Sequence, residues 1–253
     1  MKYLLSLIIG VTFLSCQSTE QNTTTPQRTY PAFFTEVLDA HGGLDKWNEM
    51  NTLIFTKGEN EKMETHTTDL KSRKARIEIK DKYALGFDGN QVWVSPHRDS
   101  FPGKSPTFFH NLYFYFVAIP FVLADPGVNL EDLGIQEISG KTYRVIKSTF
   151  DDGVGVASGD HYTLYTDPTT HRVDFITYSV TYFDKSRATK YNAIKFVWKD
   201  VNGLLGVDKM IGYKWENNAL GEQRYERVIS EFKFSKEKAK DEMYAVPEGA
   251  FTE

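Results

Sequence analysis

The sequence predicts a mainly β fold (α+β), an antiparallel sheet of about ten strands with a few short helices. Three observations carry this. From Thr52 onward the apolar residues alternate with polar ones, as in Ala75, Ile77 and Ile79 against Arg76, Glu78 and Lys80, the period of a strand with one wet face. Tight-turn sequences separate the alternating runs: Asp88-Gly89-Asn90, Asp167-Pro168-Thr169-Thr170 and Asn202-Gly203. No long helical pattern alternates with the strands, which argues against a parallel α/β sheet.

The elements follow in order. Pro31 to Met50 opens with proline at a first helical position, and Phe33, Phe34, Val37 and Leu38 share one helical face. His41-Gly42-Gly43 ends that helix, because glycine is favoured just past a helix C-terminus. His41 there offers a ring N–H or a cation to free carbonyls. Leu44 to Met50 adds a second short helix carrying Leu44 and Trp47. Strands are expected at Tyr83–Phe87 and Val92–Val94, His161–Thr166 and Arg172–Phe183, Tyr191–Trp198 and Val207–Trp215, and Gln223–Phe234. Within Arg172–Phe183, Ile176, Tyr178, Val180 and Tyr182 point one way, and Val173 and Phe175 the other. Both faces are therefore apolar, one available for helices and one for a hollow or a thick core.

One segment breaks the rhythm, Phe108 to Asp125, with Phe108, Leu112, Tyr115 and Phe116 at helical spacing and Pro120 as a breaker. A helix apolar nearly all round must be buried or must cover a cavity. Phe108, Phe109, Leu112, Tyr113, Phe116 and Phe121, with Ile176 and Tyr178 on the sheet, are the candidate lining of a site for a hydrophobic ligand.

The N-terminus points to export. Lys2 precedes a short apolar run from Tyr3 to Leu14, too short for a bilayer core that needs about 20 apolar residues. Phe13-Leu14-Ser15-Cys16 resembles a lipobox, so residues 1–15 read as a lipoprotein signal peptide and Cys16 as the site of lipid attachment. Residues 16–30 are rich in Thr, Gln and Ser and read as a flexible tether. Gln17, where an inner-membrane retention signal would place Asp, favours the outer membrane. Residues 31–253 are expected to form a single domain.

Composition narrows the function. The 253 residues carry a net charge of −4 from 34 acidic and 30 basic side chains spread along the chain, with no basic stripe for nucleic acid. The single cysteine, Cys16, rules out an internal disulfide, a thiolate metal centre or a cysteine nucleophile in the domain. The six histidines lack zinc spacing. Asp151-Asp152-Gly153 lacks the ligand spacing of a calcium loop. Asp160-His161 is a poor acid–base pair, because adjacent strand side chains diverge. No nucleophile elbow or nucleotide-binding loop occurs. No catalytic residue, cofactor or metal is expected.

The string His41-Gly42-Gly43-Leu44-Asp45-Lys46-Trp47 before the first strand, and the hairpin from Tyr162-Thr163-Leu164-Tyr165-Thr166-Asp167-Pro168 to Val173, resemble the LolA/LolB/LppX-like lipoprotein-carrier superfamily. The resemblance implies a curved, open antiparallel β-barrel wrapped over short helices around an apolar hollow. It implies a non-enzymatic envelope lipoprotein that binds a lipid or other hydrophobic ligand. A structural role, with a filled core and an envelope protein as partner, is the alternative.

Overall fold

The structure is a computed structural model that describes residues 28–253. The expected signal peptide, Cys16 and the tether as far as residue 27 lie outside the described residues. Three α-helices are present among the described residues: α1 (Ala32–Ala40), α2 (Leu44–Asn48) and α3 (Pro106–Val117). None of the described helices is long and apolar enough to cross a membrane. Strands β1 (Thr52–Lys57), β2 (Glu64–Asp69), β3 (Ala75–Ile79), β4 (Tyr83–Phe87) and β5 (Val92–Ser95) precede α3. After it come β6 (Val128–Ile138), β7 (Lys141–Phe150), β8 (Tyr162–Thr166), β9 (Val173–Tyr178), β10 (Asn192–Val201), β11 (Leu204–Glu216), β12 (Ala219–Ser235) and the short β13 (Phe251–Thr252).

All thirteen strands form one sheet, in the order β13-β5-β4-β3-β2-β1-β12-β11-β10-β9-β8-β7-β6. Every pairing is antiparallel, and the sheet is open between β13 and β6. Its curvature follows from α3. Phe87 on β4 lies 5.1 Å from the His110 ring, and Tyr178 on β9 lies 4.8 Å from Phe116, ring centroid to ring centroid. Seven strand spacings separate β4 from β9, roughly 34 Å if the sheet were flat at about 4.8 Å per strand. One helix touches both only because the sheet curls around it.

The expected count of about ten strands falls short because β6, β7 and β13 carry weak alternation. In β6 the register shifts between Asp132 and Ile135, around Gly134, which breaks the two-residue period. The expected strand Arg172–Phe183 is also too long. β9 ends at Tyr178, and the chain leaves the sheet through Ser179–Phe183.

The His41-Gly42-Gly43 string has a tertiary reason. Gly42 adopts φ +112°, and a Cβ there would lie 2.3 Å from the Gly203 carbonyl oxygen, so the helix end sits directly on the β10–β11 turn. Leu205 N–H donates to the His41 carbonyl at 2.9 Å. The His41 ring is fully buried, its Nδ1 lies 2.8 Å from the Val37 carbonyl, and burial lowers its pKa to about 4. The ring therefore serves the helix end as a neutral donor, not as a cation.

The main core lies between the concave face and the helices, where Phe34, Val37, Leu38 and Trp47 are buried and Trp47 stacks on Phe121 at 4.7 Å. A second cluster, Tyr143, Val145, Tyr165 and Phe175, covers the opposite face of β6–β9 beneath Trp215 and Leu220. Both faces of β9 are thus apolar, but Val173 joins the main core with Ile176 and only Phe175 faces the other way. A register shift between the β8–β9 pairs at Tyr165 and Thr166 displaces Val173 from simple alternation.

Candidate functional site

Helix α3 starts where its sequence allows a clean N-terminus. The Ser105 hydroxyl accepts from Phe108 N–H at 3.1 Å, and Pro106 fills the first helical position. The helix therefore begins two residues before the expected Phe108. Its aromatic side chains divide between two environments.

On one side is a slit between α3, the ends of β7, β8 and β9, and the loop joining β7 to β8. Phe108, Leu112, Tyr115 and Phe116 line it from the helix, and Phe150, Tyr162 and Tyr178 from the sheet. Val154–Ala157 form its outer wall. That wall is anchored at Val154, which packs where a Cβ on Gly127 (φ +78°) would stand, 2.5 Å from Val154 Cγ2. The cavity is about 60 Å³, within about 580 Å³ of empty space that includes the open mouth. A cavity of roughly 150 Å³ holds a benzene, so this one admits a narrow group or one end of a chain. Val156, 41% exposed, stands on its wall. Phe183, 42% exposed, packs on Phe108 at 5.0 Å beside it.

Asp160 is the one charged side chain among the described lining residues. It is 9% exposed, and its Oδ1 accepts from Thr181 N–H at 2.6 Å and Thr181 Oγ at 2.8 Å. Burial pushes its pKa up, against the two Thr181 hydrogen bonds and the nearby His161. The His161 backbone N–H donates to Ser179 Oγ at 2.9 Å, and both hydrogen bonds of the Asp160 carboxylate come from Thr181 and none from the His161 ring.

On the other side of α3 the packing is closed and polar at its centre. Glu64, 4% exposed, accepts at Oε1 from Lys57 Nζ at 2.6 Å and from His66 Nε2 at 2.7 Å, and at Oε2 from the Tyr83 hydroxyl at 2.6 Å. Burial opposes the charge on Glu64, but His66 and Lys57 outweigh it and hold the carboxyl below its usual range. Burial also pushes the His66 pKa down, against the hydrogen bond and charge of Glu64. Lys57 Nζ sits 4.3 Å from the Tyr113 ring centroid, and His66 stacks on Phe55 at 4.5 Å. Each carboxylate oxygen has a protein donor, so this cluster ties β1, β2 and β4 together. Among the described residues no group of three His, Cys, Asp or Glu could hold a metal ion.

The expected ligand-lining residues therefore separate. Phe108, Leu112, Phe116 and Tyr178 line the slit. Phe109 and Tyr113 face the Lys57 cluster, within 5.6 Å and 4.3 Å of its ammonium. Phe121 lies in the core against Trp47, and Ile176 is fully buried in the sheet. Sequence reasoning did not name Tyr115, Phe150, Tyr162 and Val154 as lining. A 3.6-residue period marks Tyr115 as a neighbour of Leu112, but nothing local marks the others. Asp160 was weighed only beside His161, whereas its partner is Thr181.

No curated protein matches the chain. Among solved structures it is similar to a LolA superfamily protein from Nitrosomonas europaea, at 12% identity over 83% of this chain and 96% of that chain, with a TM-score of 0.48. It is also similar to a DUF1329 family protein from Desulfovibrio piger, at 11% identity over 78% and 91%, with a TM-score of 0.42. The lipoprotein LppX of Mycobacterium tuberculosis matches at 15% identity over 60% and 90%, with a TM-score of 0.25. A family model described as a family of unknown function, DUF6503, matches residues 102–230, just over half of the chain and the segment that holds the whole slit, and the chain belongs to that family.

Proposed function

We propose that this chain is an outer-membrane lipoprotein, anchored through Cys16, whose folded part binds one end of a lipid or other hydrophobic molecule in the slit beside α3 and performs no chemistry on it. The observation that supports this reading is an apolar slit, walled by aromatic rings, beside the exposed Val156 and Phe183. Binding pockets are typically apolar with few polar groups, and exposed apolar residues around a mouth extend the surface on which a chain can lie. The protein-docking alternative has less support, because both sheet edges are guarded. β13 has two residues, and β6 carries the bulge at Gly134 with Glu131, Asp132 and Glu137 along it.

Calorimetric titration of the full chain with 1-octanol tests the reading. The parent is expected to bind, and Leu112→Trp, which fills the slit from the helix, is expected to lose binding while still unfolding cooperatively. Absence of octanol binding by the parent, or equal binding by the filled variant, sinks the proposal. Mass spectrometry of the purified protein tests the anchor, which requires acyl mass on Cys16.

A further inference from the structure

The slit is not uniformly apolar. At Asp160, a residue nine-tenths buried, it holds a carboxylate that is only half satisfied. Oδ1 takes both hydrogen bonds from Thr181, and Oδ2 has no hydrogen-bond partner among the described residues. Each oxygen of an ionised carboxylate can accept about two hydrogen bonds, so the open valence is on the oxygen that Thr181 leaves free. No lysine or arginine is among the described lining residues, so no protein cation meets this charge inside the slit. His161 lies within electrostatic reach of Asp160, and Lys104 lies at the Phe183 ring, 4.6 Å from its centroid.

Much of the rest of the slit is aromatic. Phe108, Tyr115, Phe116, Phe150, Tyr162 and Tyr178 surround the same space, and the negative faces of such rings attract a cation. Asp160 acts electrostatically on the Tyr162 phenol, which places the two groups close together. A buried carboxylate among aromatic rings, with no protein cation, is complementary to a protonated amine.

Resting on the binding reading above, we infer that the end of the ligand entering the slit is a primary alkylammonium group, held by Asp160 Oδ2 and the surrounding rings, with its apolar chain leaving past Val156 and Phe183. The size of the cavity agrees, since an ammonium and one or two methylenes are a narrow group. The energetics agree as well. Folding has already removed much of the water from the Asp160 side chain, so binding has to strip only what remains there together with the water of the ammonium, and it returns a charge-assisted hydrogen bond. A fatty acid or phosphate head would instead meet an uncompensated negative charge.

Octylammonium and 1-octanol have the same chain length and differ chiefly in the charge of the head, so their affinities for the full chain separate the two claims. Octylammonium is expected to bind at least about tenfold more tightly, and Asp160→Asn, which keeps an acceptor for Thr181, is expected to abolish that preference while leaving octanol binding in place. Equal affinities in the parent overturn the inference and leave the binding reading standing. A preference that survives Asp160→Asn overturns it too, because the cation is then selected elsewhere. If octanol does not bind the parent, the binding reading fails, and the inference that rests on it fails with it. A second measurement on the parent does not depend on the variant folding. The carboxyl resonance of Asp160 should titrate at lower pH with octylammonium bound than with octanol bound, and an unchanged titration overturns the inference.

Discussion

The two sides of helix α3 use the same kinds of residue and reach opposite states of packing. Toward β1–β4, Tyr113 closes over Lys57, Glu64 and His66, and both oxygens of the buried carboxylate have a protein donor. Toward β7–β9, Tyr115 and Phe116 border an open slit whose one carboxylate uses a single oxygen. Each side has one buried acid, one or more tyrosines and apolar walls. The difference lies in the cation: Lys57 supplies it on the closed side, and no lining residue supplies it on the open side. Charge balance within the fold marks the first as a structural contact, whereas the second is where the proposed ligand would supply the missing charge.

The largest expected effect tests the closed side. Glu64→Ala leaves the Lys57 ammonium buried without its counter-charge and removes the acceptor of His66 and Tyr83. Breaking a buried pair from one end costs about 3–5 kcal/mol. Urea unfolding should show a loss of this size, with octanol binding by the folded fraction unchanged. A loss below about 1 kcal/mol would mean that the closed side is as loosely coupled as the slit.

A smaller effect compares two phenylalanines from one aromatic run. Phe121 is 1% exposed and stacked on Trp47, so Phe121→Ala should cost about 3–5 kcal/mol. Phe116 is also buried, at 4% exposure, but one side of it already faces the slit, so truncation loses fewer packing contacts. Phe116→Ala should therefore cost at least about 1 kcal/mol less than Phe121→Ala, and should weaken octanol binding where Phe121→Ala leaves it intact. Equal costs, with no change in binding, would place Phe116 in the core and remove the distinction between them.

Much of the fold was legible because it depends on local period and turn chemistry. The α1 end at His41-Gly42-Gly43, the turn at Asn202-Gly203 and the alternation in β3 all stand where the sequence places them. β6 was not legible, because the bulge at Gly134 breaks its period and an edge strand has one unpaired side to fill with polar residues. The site was half legible. The aromatic density of 108–116 announced a buried helix, but a helix apolar all round does not reveal which face meets a void. Phe109 and Tyr113 look no different in sequence from Phe108 and Leu112. What separates them is Lys57 and Glu64 on one side and the 151–160 loop on the other, contacts from more than thirty residues away.

The smallest effect is a contrast in sign, and it tests the charge argument directly. The Glu64 carboxyl has a folded-state pKa below the 4.5 of the free side chain. Its contribution to stability is fully present above pH 4.5 and is lost as pH falls through the folded value. The Asp160 carboxyl is shifted the other way, above 3.8, because burial outweighs its bonds to Thr181. Its contribution is present below pH 3.8 and is lost as pH rises through the raised value. Glu64→Gln should therefore flatten the decline of stability on acidification below pH 4.5. Asp160→Asn should gain stability relative to the parent as pH rises from 3.8 toward 7, because it lacks the charge that the parent must bury. Urea unfolding of the parent and both variants at pH 3 to 7 measures this. If both variants alter the profile with the same sign, Asp160 is compensated by a charge within the protein, and the two sides of α3 do not differ as argued. If the signs are opposite, the slit carries an unbalanced negative charge at neutral pH, which is the property that a cationic ligand would neutralise.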